Sequence, residues 1–300
     1  MRIGRARHDG VVRTFAVTED GYVLLPLGAP TPDDLVRLPA VRTALDEAIA
    51  AGVPVDSDDL EILSPITRFN RDILCTGWNY WDHFEESKGK REGQDPADRP
   101  LHPTFFTKGP GTVLGPVDPV PWDPELSEKW DYEVELALVI GTDGRSIPED
   151  RALDHIAGLL VANDVSQRDL QRAHGGQWLK GKSIDGSLPL GPWLTTVDEV
   201  DLDAGLELEF SLNGERLQAA STSQMAFSIP RIISELSRGM TLRAGDVILT
   251  GTPSGIGNAR EPQIFLKDGD VLVSSVSGLG ALRNVITRAS LTEYVTGGVQ

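Results

Sequence analysis

The sequence predicts a β-rich α+β protein, a mixed sandwich, roll or barrel, preceded by a small N-terminal α/β unit. Three observations predict it. From Thr104 onward, short apolar runs are punctuated by Gly, Pro, Asn and Asp, which is the rhythm of strands and turns. Helical spacing is confined to a few stretches. The run Glu133-Val134-Glu135-Leu136-Ala137-Leu138-Val139-Ile140 is apolar on both faces beyond its carboxylates, as a strand covered on both sides would be.

The elements follow in order. Residues 1–66 read as the small unit, with strands at Val11 to Val17 and Tyr22 to Leu27 joined by Glu19-Asp20-Gly21. Leu35 to Ala51 has helical spacing at Leu35, Leu38, Val41 and Leu45, and Pro65 marks the exit. This unit carries no evident chemistry and is expected to pack against the main domain, residues 67–300, or a partner subunit. Arg71 to Gly77 reads as a short buried strand, and Tyr80 to Lys90 as a helix or ordered loop. Residues 87–103 are polar, charged and rich in breakers, the composition of a mobile loop. Helices are predicted over about Glu149 to Leu160 and Ile229 to Arg238. Strands are predicted at Leu206 to Leu212, turning at Asn213-Gly214, and at Val247 to Thr250 and Val271 to Val276.

Charge narrows the function. Lys and Arg number 28 against 45 Asp and Glu, a formal charge of −17. Such a surface argues against nucleic acid and anionic membranes, because phosphates need a basic footprint. The single cysteine, Cys75, cannot form an intramolecular disulfide. No stretch approaches the ~20 apolar residues of a membrane span. Met1-Arg2-Ile3-Gly4 lacks the apolar core of a signal peptide, so a cytoplasmic protein is expected.

Four segments could carry chemistry. Glu133 and Glu135 share a strand face, roughly 7 Å apart along it. Two like charges in a covered strand are costly unless compensated, and a bound cation is the simplest compensation. Asp164 also adjoins an apolar run and supplies a third carboxylate. An all-oxygen set favours Mg²⁺, with Mn²⁺ or Ca²⁺ also suited, over zinc. The plain alternative is a solvated strand face. In Trp78-Asn79-Tyr80-Trp81-Asp82-His83-Phe84-Glu85-Glu86, His83 and Glu86 are i and i+3 and share a helix face. A carboxylate on one imidazole nitrogen makes the other a better base. A capped surface helix is the alternative, but dense aromatics beside a mobile loop point to a lid. Lys182 could stabilise developing negative charge beside a metal, or be an ordinary surface lysine. Leu249 to Gly257 suggests a phosphate loop but lacks its terminal Lys-Ser/Thr and a following helix. A turn whose backbone and Thr252 approach a ligand closely is the better reading.

Together these segments resemble the fumarylacetoacetate hydrolase family from about Ile73 to Ile286. The resemblance rests on Gly77-x-Asn79-Tyr80-x-x-His83-x-x-Glu86, Phe106-Thr107-Lys108 and Asp131-Tyr132-Glu133-Val134-Glu135-Leu136. It continues through Asn163-Asp164-Val165-Ser166-x-Arg168-Asp169-x-Gln171, Gln177-Trp178-x-x-Gly181-Lys182-Ser183, Gly251 to Gly257, and Gly278-Leu279-Gly280-x-Leu282-Arg283-Asn284. The resemblance implies a mixed β-sandwich roll, a homodimer, and a Mg²⁺-type ion held by Glu133, Glu135 and Asp164. It implies that His83 and Glu86, on a closing lid, activate water, with Lys182 as the active-site lysine. Tyr80, Arg168, Gln171 and Thr252 become candidate substrate contacts, while Asp131 and Tyr132 support the metal site. Trp78 and Trp81 are bulkier than expected beside the lid motif, and the segment 87–103 is longer than in compact members.

The implied substrates are 2-oxo acids, often with a further keto group. The leading expectation is a hydrolase that cleaves a C–C bond of a β-diketo acid such as an acylpyruvate or fumarylpyruvate, leaving an enolate. The alternatives are oxaloacetate decarboxylation and isomerisation or tautomerisation of 2-hydroxy-dienoates, which need the same groups. A non-catalytic ligand-binding homologue is the alternative of another class.

Overall fold

The computed structural model describes residues 1–38, 40–89 and 98–295. Among them, the largest sheet has twelve strands. Its path runs Val53–Val55, Gly21–Leu24, Val11–Thr18, Arg2–His8, Leu188–Thr196, Ile156–Asn163, Val134–Ile140, Val247–Leu249, Ile73–Gly77 and Thr104–Lys108. Glu61–Leu63 pairs with Arg2–His8, and Val113–Leu114 with Leu188–Thr196. A five-stranded sheet of Glu215–Ser221, Glu207–Leu212, Val271–Val276, Gly280–Arg288 and Val120–Trp122 packs against it.

The strand Val134–Ile140 lies near the middle of the large sheet, and all of it is buried. Alternation divides its side chains between two cores. Val134, Leu136, Leu138 and Ile140 meet Leu208, Phe210, Leu272 and Leu282 between the sheets. Ala137 and Val139 point the other way, into a core shared with Ile3, Leu35, Val36 and Leu45. Burying each Leu or Ile here is worth about 1.5–3 kcal/mol. The cover on the second face is therefore the N-terminal segment. Its strand Arg2–His8 pairs antiparallel with Leu188–Thr196, Arg2 opposite Thr195. The strand Arg2–His8 buries Ile3, Gly4 and Ala6 between arginines, a pattern that composition alone does not announce.

Two helix predictions differ from the structure. The stretch predicted as one helix from Glu149 to Leu160 is a 3₁₀ helix, Glu149–His155, followed by the strand Ile156–Asn163. The apolar run is buried between two strands, and a Cβ on Gly158 would lie 2.7 Å from the Thr195 carbonyl oxygen. Sheet pairing on both edges outweighs the helical spacing. Leu35 to Ala51 is two helices, Pro32–Arg37 and Val41–Ala50. Leu38 breaks them at φ −132°, ψ 84°, as a residue before proline is pushed out of the helical region. Thr31 caps the first helix and exchanges hydrogen bonds with Asp34.

The helix Ile229–Ser237 forms as its spacing predicts. The hairpin turn does too: Asn213 and Gly214 have φ of 53° and 86°, as a two-residue turn of this type requires. The segment from Tyr80 contains the helix Trp81–Glu86. Of the predicted mobile loop 87–103, residues 90–97 lie outside the described residues. No helix among the described residues is long and apolar enough to cross a membrane.

Candidate active site

Glu135 sits opposite Ala162 on the neighbouring strand, and Val134 opposite Asn163. Glu133 immediately precedes the strand, and Asp164 immediately follows its neighbour, so the register brings the two together. The Asp164 amide donates to the Glu133 carbonyl at 2.8 Å, and the Glu133 amide to Asn163 Oδ1 at 2.9 Å. Ligand oxygens of Glu133, Glu135 and Asp164 lie within 4.8 Å of one another, all buried.

Protein cations already offset much of this charge. Lys182 Nζ donates to Glu133 Oε2 and Asp164 Oδ2, each at 2.7 Å. Lys108 Nζ lies 2.7 Å from Asp164 Oδ1 and also donates to the Val165 carbonyl and Ser187 Oγ. Arg168 donates to Glu133 Oε1 at 2.5 Å and to Asp131 Oδ2 at 2.8 Å. Four carboxylates thus face three cations, and among the described residues Glu135 is the one that makes no ion pair; its Oε2 accepts the Gly251 amide at 2.6 Å.

The imbalance appears in the acidities. Burial opposes ionisation of Glu133, but Arg168 and Lys182, with His83 adding to them, hold its pKa down at about 2. Burial, with Asp164 and Glu133 as like-charged neighbours, pushes Glu135 well above the ordinary carboxylate range. For Lys182, burial is outweighed by Asp164 and Glu133, so its pKa rises. For Lys108, burial wins and the pKa falls, with Asp164 opposing. An all-oxygen set carrying one surplus negative charge fits a hard divalent ion.

The triad is framed from below by Asp131, whose Oδ1 accepts the amides of Tyr132 and Gly257 while Oδ2 accepts that of Asn258. Close to the triad is the helix Trp81–Glu86, whose His83 acts electrostatically on Glu133. His83 Nδ1 is 2.8 Å from Glu86 Oε1, and the Gly255 amide donates to Glu86 Oε2 at 2.8 Å. Glu86 therefore orients the imidazole and fastens the helix to the Gly251–Gly257 loop. Gly255 must be glycine there: φ is +106°, and a Cβ would meet the Leu217 carbonyl oxygen at 2.1 Å.

The candidate substrate contacts are placed differently. Thr252 Oγ1 donates to the Val134 carbonyl and accepts from Gln218, each at 2.9 Å. Gln171 Oε1 accepts from Arg168 at 3.2 Å. Tyr80 is 2% exposed, its hydroxyl has no hydrogen-bond partner among the described residues, and burial raises its pKa. Residue-by-residue reading gave no role to Lys108 or Gln218. Lys108 closes the strand Thr104–Lys108 (Thr-Phe-Phe-Thr-Lys), where it is the fully buried residue, and the run itself carries no signal of that beyond the family resemblance. Gln218, which also accepts the Val134 amide at 3.1 Å, had none.

The fumarylacetoacetate (FAA) hydrolase C-terminal domain model matches residues 72–287. The chain belongs to the fumarylacetoacetate hydrolase family. It is 42% identical over 228 residues to the oxaloacetate tautomerase YisK of Bacillus subtilis, spanning 76% of this chain and 73% of that relative. Among solved structures, the fumarylacetoacetate hydrolase of psychrophilic Exiguobacterium antarcticum superposes with a TM-score of 0.82 and 35% identity, over 96% of this chain and 100% of that one. The 5-carboxymethyl-2-hydroxymuconate delta-isomerase of Mycobacterium smegmatis superposes with a TM-score of 0.73 and 32% identity, over 97% and 100%. The fold is thus the α+β fold of this fumarylacetoacetate hydrolase family, and the acidic triad is a site able to hold a divalent ion.

Proposed function

We propose that this enzyme interconverts the enol and keto forms of oxaloacetate or a closely similar 2-oxo dicarboxylate, using Mg²⁺ held by Glu133, Glu135 and Asp164. The observation that carries the choice of reaction is the 42% identity to an oxaloacetate tautomerase. The chemistry is economical for the groups present. Tautomerisation needs a base at C3 and stabilisation of charge at the 2-oxygen, with no attacking water.

The bound ion would supply Lewis-acid polarisation of the 2-oxo group. His83, held through Nδ1 by Glu86, exchanges the C3 proton through Nε2. As the C3–H bond breaks, its electron pair forms the C2=C3 bond and the 2-oxygen gains negative charge. Lys182, between Glu133 and Asp164, places its ammonium beside that charge. The enol is complete when the oxygen takes a proton, and the reverse sequence restores the keto acid. Tyr80, Gln171 and the Thr252 segment are assigned to the substrate, whereas Arg168 acts through Glu133 and Asp131. We assign the working assembly as a homodimer.

The test follows loss of the enol's absorbance with Mg²⁺, with Mg²⁺ replaced by EDTA, and with His83→Ala. The expectation is a metal-dependent rate that falls about 10²–10⁴-fold without the base. Mass spectrometry of the products separates the rivals: unchanged mass supports tautomerisation, carbon dioxide release indicates decarboxylation, and two acids from an acylpyruvate indicate the C–C hydrolase first expected from sequence. A His83→Ala protein with full rate would remove the assignment.

A further inference from the structure

The two tryptophans that stand out near the lid motif lead to a continuous row of aromatic rings. Phe84 belongs to the lid helix and adjoins His83 in sequence. Its ring meets Trp78 edge-on with centroids 6.2 Å apart. Trp78 meets Trp178 at 5.0 Å, and Trp178 meets Phe106 at 5.0 Å. The Lys182 ammonium lies 5.0 Å from the centroid of Phe106. These separations are those of interacting rings and of a cation over a ring face.

Trp178 holds the middle of the row. It is also the N-cap of the four-residue helix Leu179–Lys182, which carries the lysine. So short a helix has little stability of its own and takes its position from packing. Two features make room for the ring. Gly77 lacks the Cβ that would come within 2.7 Å of it. Trp78 adopts φ +52°, a left-handed conformation that costs a bulky residue on the order of 1–3 kcal/mol and persists only where the surroundings impose it.

We propose that Trp178 is a positioning residue that sets the place of Lys182 relative to the lid, so that the ammonium between Glu133 and Asp164 and the imidazole of His83 are held in register. It does not touch the reacting atoms; it acts through Phe106, Trp78 and the short helix. The inference rests on the reading of His83 and Lys182 as working groups of one site. Positioning errors of about 1 Å can cost 10²-fold in rate, which makes such a residue visible in kinetics.

The experiment is steady-state kinetics of the Mg²⁺-loaded enzyme on enol oxaloacetate for Trp178→Ala, Trp178→Phe, Gly77→Ala and the Gly77→Ala/Trp178→Ala double variant. Trp178→Ala should lower kcat at least 10-fold while KM and Mg²⁺ affinity stay within about twofold, since the row bears on chemistry rather than on loading. Trp178→Phe, which keeps a ring, should recover most of the rate. Gly77→Ala should lower kcat because its methyl displaces the ring, yet add nothing once the ring is gone, so the pair should be non-additive. The inference is overturned if Trp178→Ala keeps its kcat, if its loss follows Mg²⁺ affinity, or if the two substitutions add. His83→Ala and Lys182→Ala are measured alongside. Full activity in those two overturns the functional reading, whereas their failure with an unimpaired Trp178→Ala overturns this inference alone.

Discussion

Glu133 and Glu135 lie two residues apart and are driven in opposite directions: Glu133 is held at about 2, and Glu135 well above the usual carboxylate range. The difference is one of partners. Glu133 has Arg168 and Lys182 within 2.7 Å, whereas Glu135 accepts the neutral Gly251 amide.

Opposite slopes with pH follow for the metal-free protein. The depressed Glu133 contributes stability that is present above the ordinary glutamate value of 4.5 and lost as the pH falls towards about 2. The raised Glu135 contributes stability that is present below 4.5 and lost as the pH rises towards its elevated value. Glu135→Gln should flatten the second limb and leave the first. Thermal unfolding in EDTA across pH 4 to 9 checks this. A loss of stability with rising pH that survives in Glu135→Gln would assign it elsewhere.

Loading the ion should release protons. Where Glu135 is protonated in the metal-free state, Mg²⁺ must displace about one proton per site, and affinity should rise with pH. Titrating Mg²⁺ into weakly buffered protein with a pH indicator measures the release. Glu135→Gln should release none.

Lys182→Met separates affinity from catalysis. Removing one partner from a buried ion cluster typically costs about 3–5 kcal/mol, so the metal-free protein should be strongly destabilised. The same change removes a cation that occupies Glu133 and Asp164, so Mg²⁺ should bind more tightly and recover much of the lost stability. Turnover should nevertheless stay depressed by at least about 10²-fold. Calorimetric Mg²⁺ titration beside the enol assay gives both quantities, and weaker binding in Lys182→Met would contradict the picture of competition.

Glu86 has two duties that substitutions can split. Glu86→Gln keeps an acceptor for the Gly255 amide but loses the charge that steadies a protonated His83, so kcat should drop roughly 10²-fold with a small change in KM. Gly255→Ala keeps the dyad but forces the loop away from Leu217, so KM should rise and kcat should fall together as the helix loses its seat. Steady-state kinetics on both variants distinguish the two patterns.

The carboxylate triad was legible because acidic residues in runs otherwise apolar on both faces are a local signal. So was the His83–Glu86 spacing, a property of one helical turn. Other parts were not legible because they rest on distant partners. Gln218 reaches Val134 across 84 residues, and Lys108 reaches Val165 across 57. Ile156 to Leu160 reads as the end of a helix by spacing, and only its two neighbours in the sheet decide for strand. The strand Arg2–His8 likewise declares itself through Leu188–Thr196.

The proposed working groups divide between the ends of strands buried on both faces, with Lys182 on the short helix Leu179–Lys182 beside them, and a six-residue helix fastened by a few hydrogen bonds. The acidic triad is consequently the constrained half of the site, where nearly any change disturbs two cores at once. The lid is the half that can drift. Under the proposed function, a lineage built this way can try new 2-oxo acids by altering Trp78, Trp81 and their surroundings while the acidic triad stays folded, so substrate range can diversify faster than chemistry.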